Sequence, residues 1–111
     1  MQSELEMIPE ELDEKNDISE LSKKGYLLLK ENKTEEAIEC FTDILRVSDS
    51  NNYALVGMGD ANRKQGQYRN AILFYQRCLV FHPGNNYALF GLADCYKALN
   101  QYQKAIKIWE Q

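Results

Sequence analysis

Residues 51–60 read Asn-Asn-Tyr-Ala-Leu-Val-Gly-Met-Gly-Asp and return 34 positions later as Asn-Asn-Tyr-Ala-Leu-Phe-Gly-Leu-Ala-Asp. The same step carries Gln67, Tyr68, Ala71 and Ile72 onto Gln101, Tyr102, Ala105 and Ile106, and a step back from Ala71 and Ile72 lands on Ala37 and Ile38. A fixed period of this length means stacked supersecondary units, each unable to bury its apolar face alone. Such an array is a scaffold whose ligand is chosen by a few surface residues.

Each unit has the pattern of two helices. Small residues at Gly25, Gly59 and Ala93 on first helices, and at Ala37, Ala71 and Ala105 on second helices, let the pair approach closely. Ile38, Phe41 and Leu45, then Ile72, Tyr75 and Leu79, recur every three to four residues and give one apolar stripe per second helix. Turns are signalled within units by Asn32-Lys33-Thr34, Gly66-Gln67 and Asn100-Gln101, and between units by Ser48 to Asn51 and His82 to Asn85. Six helices of about 12 to 14 residues are expected, each roughly 20 Å long.

The residues that carry the period also carry a resemblance. Leu55, Met58, Gly59, Asn62, Ala71, Tyr75 and Pro83 in one copy, and Leu89, Leu92, Ala93, Tyr96, Ala105 and Trp109 in the next, resemble the tetratricopeptide repeat. A fainter copy holds Leu21, Lys24, Gly25, Leu28, Ala37 and Phe41, with Asp49 in place of the proline. The resemblance implies an all-α, right-handed α-solenoid of antiparallel helix pairs. Its repeats would span 18–51, 52–85 and 86–111, the last truncated, behind an acidic arm at 1–17 that is flexible or a short helix.

Composition excludes several classes. The chain is 44% hydrophobic and 27% charged, and it has no apolar run near the ~18 residues of a membrane span. It opens with no basic-then-apolar leader, so a cytoplasmic location without membrane insertion is expected. Cys40, Cys78 and Cys95 are far apart, with no Cys-x-x-Cys pair, and fit small buried hydrophobes better than redox thiols or metal ligands. His82, the single histidine, precedes Pro83 and fits a turn residue. No glycine-rich phosphate loop, metal-ligand spacing or nucleophile with its base is present, so neither catalysis nor a metal or cofactor is expected.

Charge is uneven. Residues 1–17 hold seven acids and one lysine, net −6, whereas residues 52–111 hold seven cations and three acids, net +4. The cation density is low and no arginine-rich run with interleaved aromatics occurs, so solvated helix faces are a better account than a nucleic-acid surface. The arm also carries Leu5, Met7, Ile8 and Leu12. Two outcomes are open for it, an unstructured acidic tail or docking of residues 4–12 on the basic side of repeats two and three.

In tetratricopeptide arrays the first helices line a concave groove that receives ligands. The resemblance therefore implies a protein or peptide partner, and a lining of Ser22, Tyr26, Leu29 and Lys30, then Tyr53, Val56, Gly57, Asp60, Arg63 and Lys64, then Tyr87, Phe90, Gly91, Asp94, Lys97 and Ala98. Tyr53 with Tyr87, and Asp60 with Asp94, would stack as ladders. The alternatives are tyrosines packed between repeats, and acids paired as Asp60 to Lys64 and Asp94 to Lys97. Gly57 and Gly91 sit inside a helix at a cost of about 1 kcal/mol each relative to alanine. They admit either close packing by the preceding repeat or a hollow where a ligand backbone approaches.

Known subfamilies leave the partner open. Arrays that grip chaperone C-termini use Lys, Asn and Arg where this chain has Ser22, Tyr26, Gly57, Tyr87 and Gly91, and the asparagine ladder of some glycosyl-transferring proteins is replaced by Lys23, Gly57 and Gly91. An interaction module for a short segment or helix is the leading expectation. A regulatory segment of a larger protein and a small secretion-type chaperone are the alternatives. Ile106, Ile108 and Trp109 in the last helix further suggest an uncapped apolar end and self-association there, or through the arm.

Overall fold

The computed structural model describes the backbone of residues 10–110 and the side-chain surroundings from Asp17 onward. Among these residues there are six helices and no strand: α1 Glu10–Lys30, α2 Thr34–Val47, α3 Asn52–Lys64, α4 Tyr68–Phe81, α5 Asn86–Ala98 and α6 Tyr102–Trp109.

The connections repeat as the sequence does. Asn32, Gly66 and Asn100 have φ of 63°, 77° and 61°, one left-handed residue per repeat. The amide after each reaches back to the preceding helix, from Lys33 to Leu28 O, Gln67 to Asn62 O and Gln101 to Tyr96 O, at 2.7 to 2.8 Å. This is the Schellman closure, which satisfies carbonyls that the helix end leaves open. At the helix starts Asn51 and Asn85 each accept the amide of the third residue on, Ala54 and Ala88, at 2.9 Å.

The first and last helices depart from the expected lengths. α1 has 21 residues against 13 in α3 and α5, whereas α6 has 8. Asp17, one period before the capping Asn51, lies inside α1. No glycine or proline interrupts the chain between Pro9 and Gly25, so helix continues across the expected boundary at residue 17. Docking of residues 4–12 concerns a segment whose residues 4–9, and all of whose side chains, lie outside the described residues.

Each helix packs on the next, and in addition α1 touches α3 and α3 touches α5. The second helices of neighbouring repeats, α2, α4 and α6, make no such contact. First helices therefore form the inner wall of an elongated body of 60 × 27 × 17 Å, and second helices the outer wall.

One aromatic residue per second helix locks two repeats together. Phe41, fully buried, lies against both Gly25 and Gly57. A Cβ would fall 2.7 Å from its ring at Gly25 and 2.5 Å at Gly57. Tyr75, also fully buried, occupies the matching slot between Gly59 and Gly91. Around these rings run two apolar clusters, one centred on Phe41, Ile44 and Met58 and the other on Leu55, Tyr75 and Leu92, with Leu45 and Phe74 packed against both. Burial of such side chains contributes roughly 1.5–3 kcal/mol each.

Candidate partner-binding groove

The inner wall is lined by side chains from α1, α3 and α5. Tyr53 and Tyr87 stand at the starts of α3 and α5 and are 60% and 76% exposed, so they do not pack between repeats. Together with Tyr26, Asn52, Val56, Asp60 and Asn85 they surround an open hollow of about 500 Å³. Val56 is buried and belongs to the core as well, which makes it part of the floor. Tyr26 is fixed on two sides. Its hydroxyl donates to Tyr53 O at 2.6 Å, and its ring meets that of Phe41 edge-on, with centroids 5.1 Å apart.

Farther along the same helices a second hollow of about 470 Å³ is lined by Tyr26, Leu29, Lys30, Asp60, Arg63 and Lys64. Lys64 Nζ donates to Leu29 O at 2.7 Å, crossing from repeat two to repeat one. Lys97 and Asp94 line a third with Arg63, Tyr68 and Tyr102.

The acids pair differently from expectation. Arg63 donates to Asp94 Oδ2 at 2.8 Å and to Asp60 Oδ1 at 3.4 Å, so one guanidinium bridges the two acids of the ladder. This arrangement stands in place of the alternative pairs of Asp60 with Lys64 and Asp94 with Lys97. A guanidinium presents several donors in a fork and can hold two carboxylates at once.

Tyr75 completes the network. Its ring fills the slot between two glycines, and its hydroxyl, within a fully buried side chain, donates to Asp60 Oδ1 at 2.5 Å. Burial raises the Asp60 pKa above the ordinary carboxylate value, against the opposing effects of the Tyr75 hydrogen bond and Arg63. Burial, and next the negative charge of Asp60, pushes the Tyr75 and Tyr26 hydroxyls far above the usual tyrosine range. Both phenols thus remain protonated donors at any physiological pH.

Three expected lining residues serve other places. Gly57 does not open a hollow for a ligand, because its missing side chain is the space that Phe41 fills, and Gly91 does the same for Tyr75. Phe90 faces the end of the array, where it lines a hollow with Leu89, Ile108 and Trp109. Its counterpart one period earlier, Val56, is covered by the next repeat, whereas Phe90 is 58% exposed.

The pairing of Tyr75 with the inner-wall acid Asp60 was the contact hardest to find from sequence, since Tyr75 falls on the apolar stripe. The available signal was a change of type along the repeat position, Phe41 then Tyr75 then Trp109. Where repeat one pairs Phe41 with Tyr26, repeat two pairs Tyr75 with Asp60, so the hydroxyl changes helix.

The remaining singled-out residues are structural. His82 Nε2 lies 2.8 Å from Ser50 O, which ties adjacent inter-repeat loops, and Arg77 of α4 donates to Asp49 O at 2.9 Å. Cys40, Cys78 and Cys95 are buried and unpaired, and burial raises each thiol pKa, for Cys95 to about 11. Among the described residues no group of three His, Cys, Asp or Glu is placed to hold a metal ion. No described helix is long and apolar enough to cross a membrane.

A family model described as tetratricopeptide repeat matches residues 22–86. A second, described as anaphase-promoting complex, cyclosome, subunit 3, matches residues 64–111. Comparison with curated proteins finds no match. Among solved structures, the TPR domain of Arabidopsis FLU is 27% identical, with a TM-score of 0.81 over 87% of this chain and 92% of that one. The second TPR domain of Spaghetti (RPAP3), bound to the HSP90 peptide SRMEEVD, is 20% identical, with a TM-score of 0.80 over 88% of this chain and 93% of that one.

Proposed function

Since the chain belongs to the tetratricopeptide repeat family, whose model covers residues 22–86, we propose that it is a protein-interaction module and that its inner wall holds a short extended segment of a partner. The observation that carries this reading is the pair of exposed tyrosines, Tyr53 and Tyr87, set one period apart over the Val56 floor. Aromatic rings offer large contact area at low entropic cost, and their hydroxyls orient a peptide. The half-exposed Asn52 on the rim supplies an amide suited to peptide backbone.

Binding rather than turnover is the proposed activity, and protein rather than nucleic acid the proposed partner. Three unpaired buried thiols suit the reducing environment of the cytoplasm. Of the neighbours, the RPAP3 domain holds its peptide on the same fold. The chaperone-tail positions named above are occupied here by Ser, Tyr and Gly, so a different segment is proposed for this groove.

Photo-crosslinking tests the reading. A benzophenone side chain at Tyr53 or Tyr87 is expected to capture one defined partner segment, while the same probe at Leu73 or Val80 on the outer wall captures none of it. Equal capture from both walls would refute a groove. The apolar end formed by Leu89, Phe90, Ile108 and Trp109 is a second proposed contact surface, through which the chain self-associates. Light scattering should then show a concentration-dependent mass that Trp109→Lys lowers, and a strict monomer at high concentration would contradict it.

A further inference from the structure

The 34-residue period sets equivalent positions of the three outer helices side by side, and on the outward face their chemistry changes from repeat to repeat. Ala37, Ala71 and Ala105 are buried toward the inner helices, whereas Glu39, Leu73 and Lys107, two residues on, are all exposed. One row thus reads acid, apolar, base. The helices follow it. α2 holds Glu35, Glu36, Glu39 and Asp43 against Arg46, net −3, while α4 holds Arg69 and Arg77, net +2, and α6 holds Lys104 and Lys107, net +2, with Glu110 following as its cap. On α4, Val80 continues the outward face seven residues beyond Leu73, and the two are 75% and 64% exposed. Their equivalents in repeat one are Arg46 and Glu39, so the apolar pair belongs to repeat two alone. The flanks are fixed as well: Arg77 reaches Asp49 O on the side of repeat one, while Gln76 donates to the Tyr96 hydroxyl at 3.2 Å and Lys104 lies 5.4 Å over the same ring, on the side of repeat three. Arg46 is taken by Asp43, but Glu39 and Lys107 are in no ion pair among the described residues. Solvent alone satisfies scattered surface charge, but it does not account for a reversal of sign centred on an uncovered apolar pair.

We infer that the outer wall is a self-complementary surface on which a second copy of this chain docks back to back, about a two-fold axis running along α4. That axis lays α4 beside α4 of the second copy, Leu73 on Leu73 and Val80 on Val80, and carries α2 of each copy over α6 of the other. Glu39 then meets Lys107, and Glu35 meets Arg69 and Lys104, each contact occurring twice. An axis across the helices would instead set α2 on α2 and acid on acid, which electrostatic complementarity disfavours. The area suits a weak, reversible dimer. Outer helices of 14, 14 and 8 residues, at about 1.5 Å per residue and about 10 Å apart, cover roughly 500 Å² per copy and about 1,000 Å² in all, the lower bound of a specific interface. Both inner walls stay open in this dimer, and the contact uses neither Tyr53 and Tyr87 nor the apolar end at Trp109.

Charge exchange tests the pairing, read by sedimentation equilibrium of the full chain at low salt. Glu39→Lys alone sets lysine against lysine in both symmetric contacts, and Lys107→Glu alone sets acid against acid. Each variant by itself is expected to dimerise at least about tenfold more weakly than wild type. Mixed in equal amounts, the two variants regain opposite charges at both contacts, so the mixture is expected to recover the wild-type affinity as a one-to-one heterodimer. That recovery should fade as ionic strength approaches about 0.5 M, and Leu73→Glu in both variants should abolish it. Self-association of each variant equal to wild type would overturn the inference, as would a loss in both with no recovery on mixing. A wild-type chain that stays monomeric up to millimolar concentration would also overturn it and leave the outer wall to some other protein. Association through the apolar end involves neither Glu39 nor Lys107, so it would respond to Trp109→Lys and not to the exchange. None of these results bears on the groove, which stands or falls on the crosslinking at Tyr53 and Tyr87.

Discussion

At the scale of single residues, the glycines decide how closely the repeats stack. Alanine is a better helix former than glycine by about 1 kcal/mol, so Gly57→Ala would stabilise an isolated helix. In the folded array its Cβ would lie 2.5 Å from the Phe41 ring, and overpacking of this kind costs about 1–3 kcal/mol. The expected outcome is net destabilisation of up to about 2 kcal/mol in urea unfolding, partly relieved when Phe41→Leu is added. Asp60 gives a prediction in pH. Burial raises its folded pKa above the ordinary aspartate value, so the folded state binds the proton more tightly than the unfolded one. Its contribution is therefore most favourable in acid and is lost as pH rises from 3.8 through the raised value. Asp60→Asn should remove that falling component, seen as a flatter stability curve than wild type as pH rises above the ordinary aspartate range. The cost of Gly57 was legible in the sequence. Its cause was not, because Phe41 lies 16 positions away on the preceding repeat's second helix, and only the packing chooses between a slot and a hollow.

At the scale of elements, the same slot has different depth along the array. Phe41 and Tyr75 are each held between two glycines, whereas Trp109, at the matching position, is 53% exposed. Phe41→Ala is expected to cost about 3–5 kcal/mol, and Trp109→Ala less than about 2. Equal losses would contradict the slot account. Local signals made most elements legible. Asn32, Gly66 and Asn100 mark the tight turns, and Asn51 and Asn85 the caps. That α1 runs unbroken from residue 10 into the first repeat was not legible, because the periodicity says only where a repeat begins and the residues before it merely lack a helix breaker. The groove was legible as a set of positions on first helices, from the family likeness. Which lining residues face the ligand side was not. Val56 and Phe90 are equivalent in sequence, but one is roofed by the next repeat and the other faces the end.

At the scale of the whole molecule, the array has neighbour contacts only, with α3 touching both α1 and α5 and α1 separated from α5. Stability in such an array is a sum of repeat and interface contributions, so it frays from its ends. Amide exchange should be fastest in α6, with 8 residues, and slowest in α3 and α4 at the centre. A uniform protection pattern would mean cooperativity beyond nearest neighbours. The elongated frame keeps the inner wall open while the outer helices and glycine slots hold its curvature, so that Tyr53 and Tyr87 are presented without carrying the fold. The most direct measurement is the affinity of a crosslink-identified partner segment for the wild-type chain and for Tyr53→Ala/Tyr87→Ala, with far-UV dichroism recorded on both. The predicted result is unchanged helicity and a loss of at least about 2 kcal/mol, roughly 30-fold in Kd. Unchanged affinity in a folded double mutant would contradict the groove.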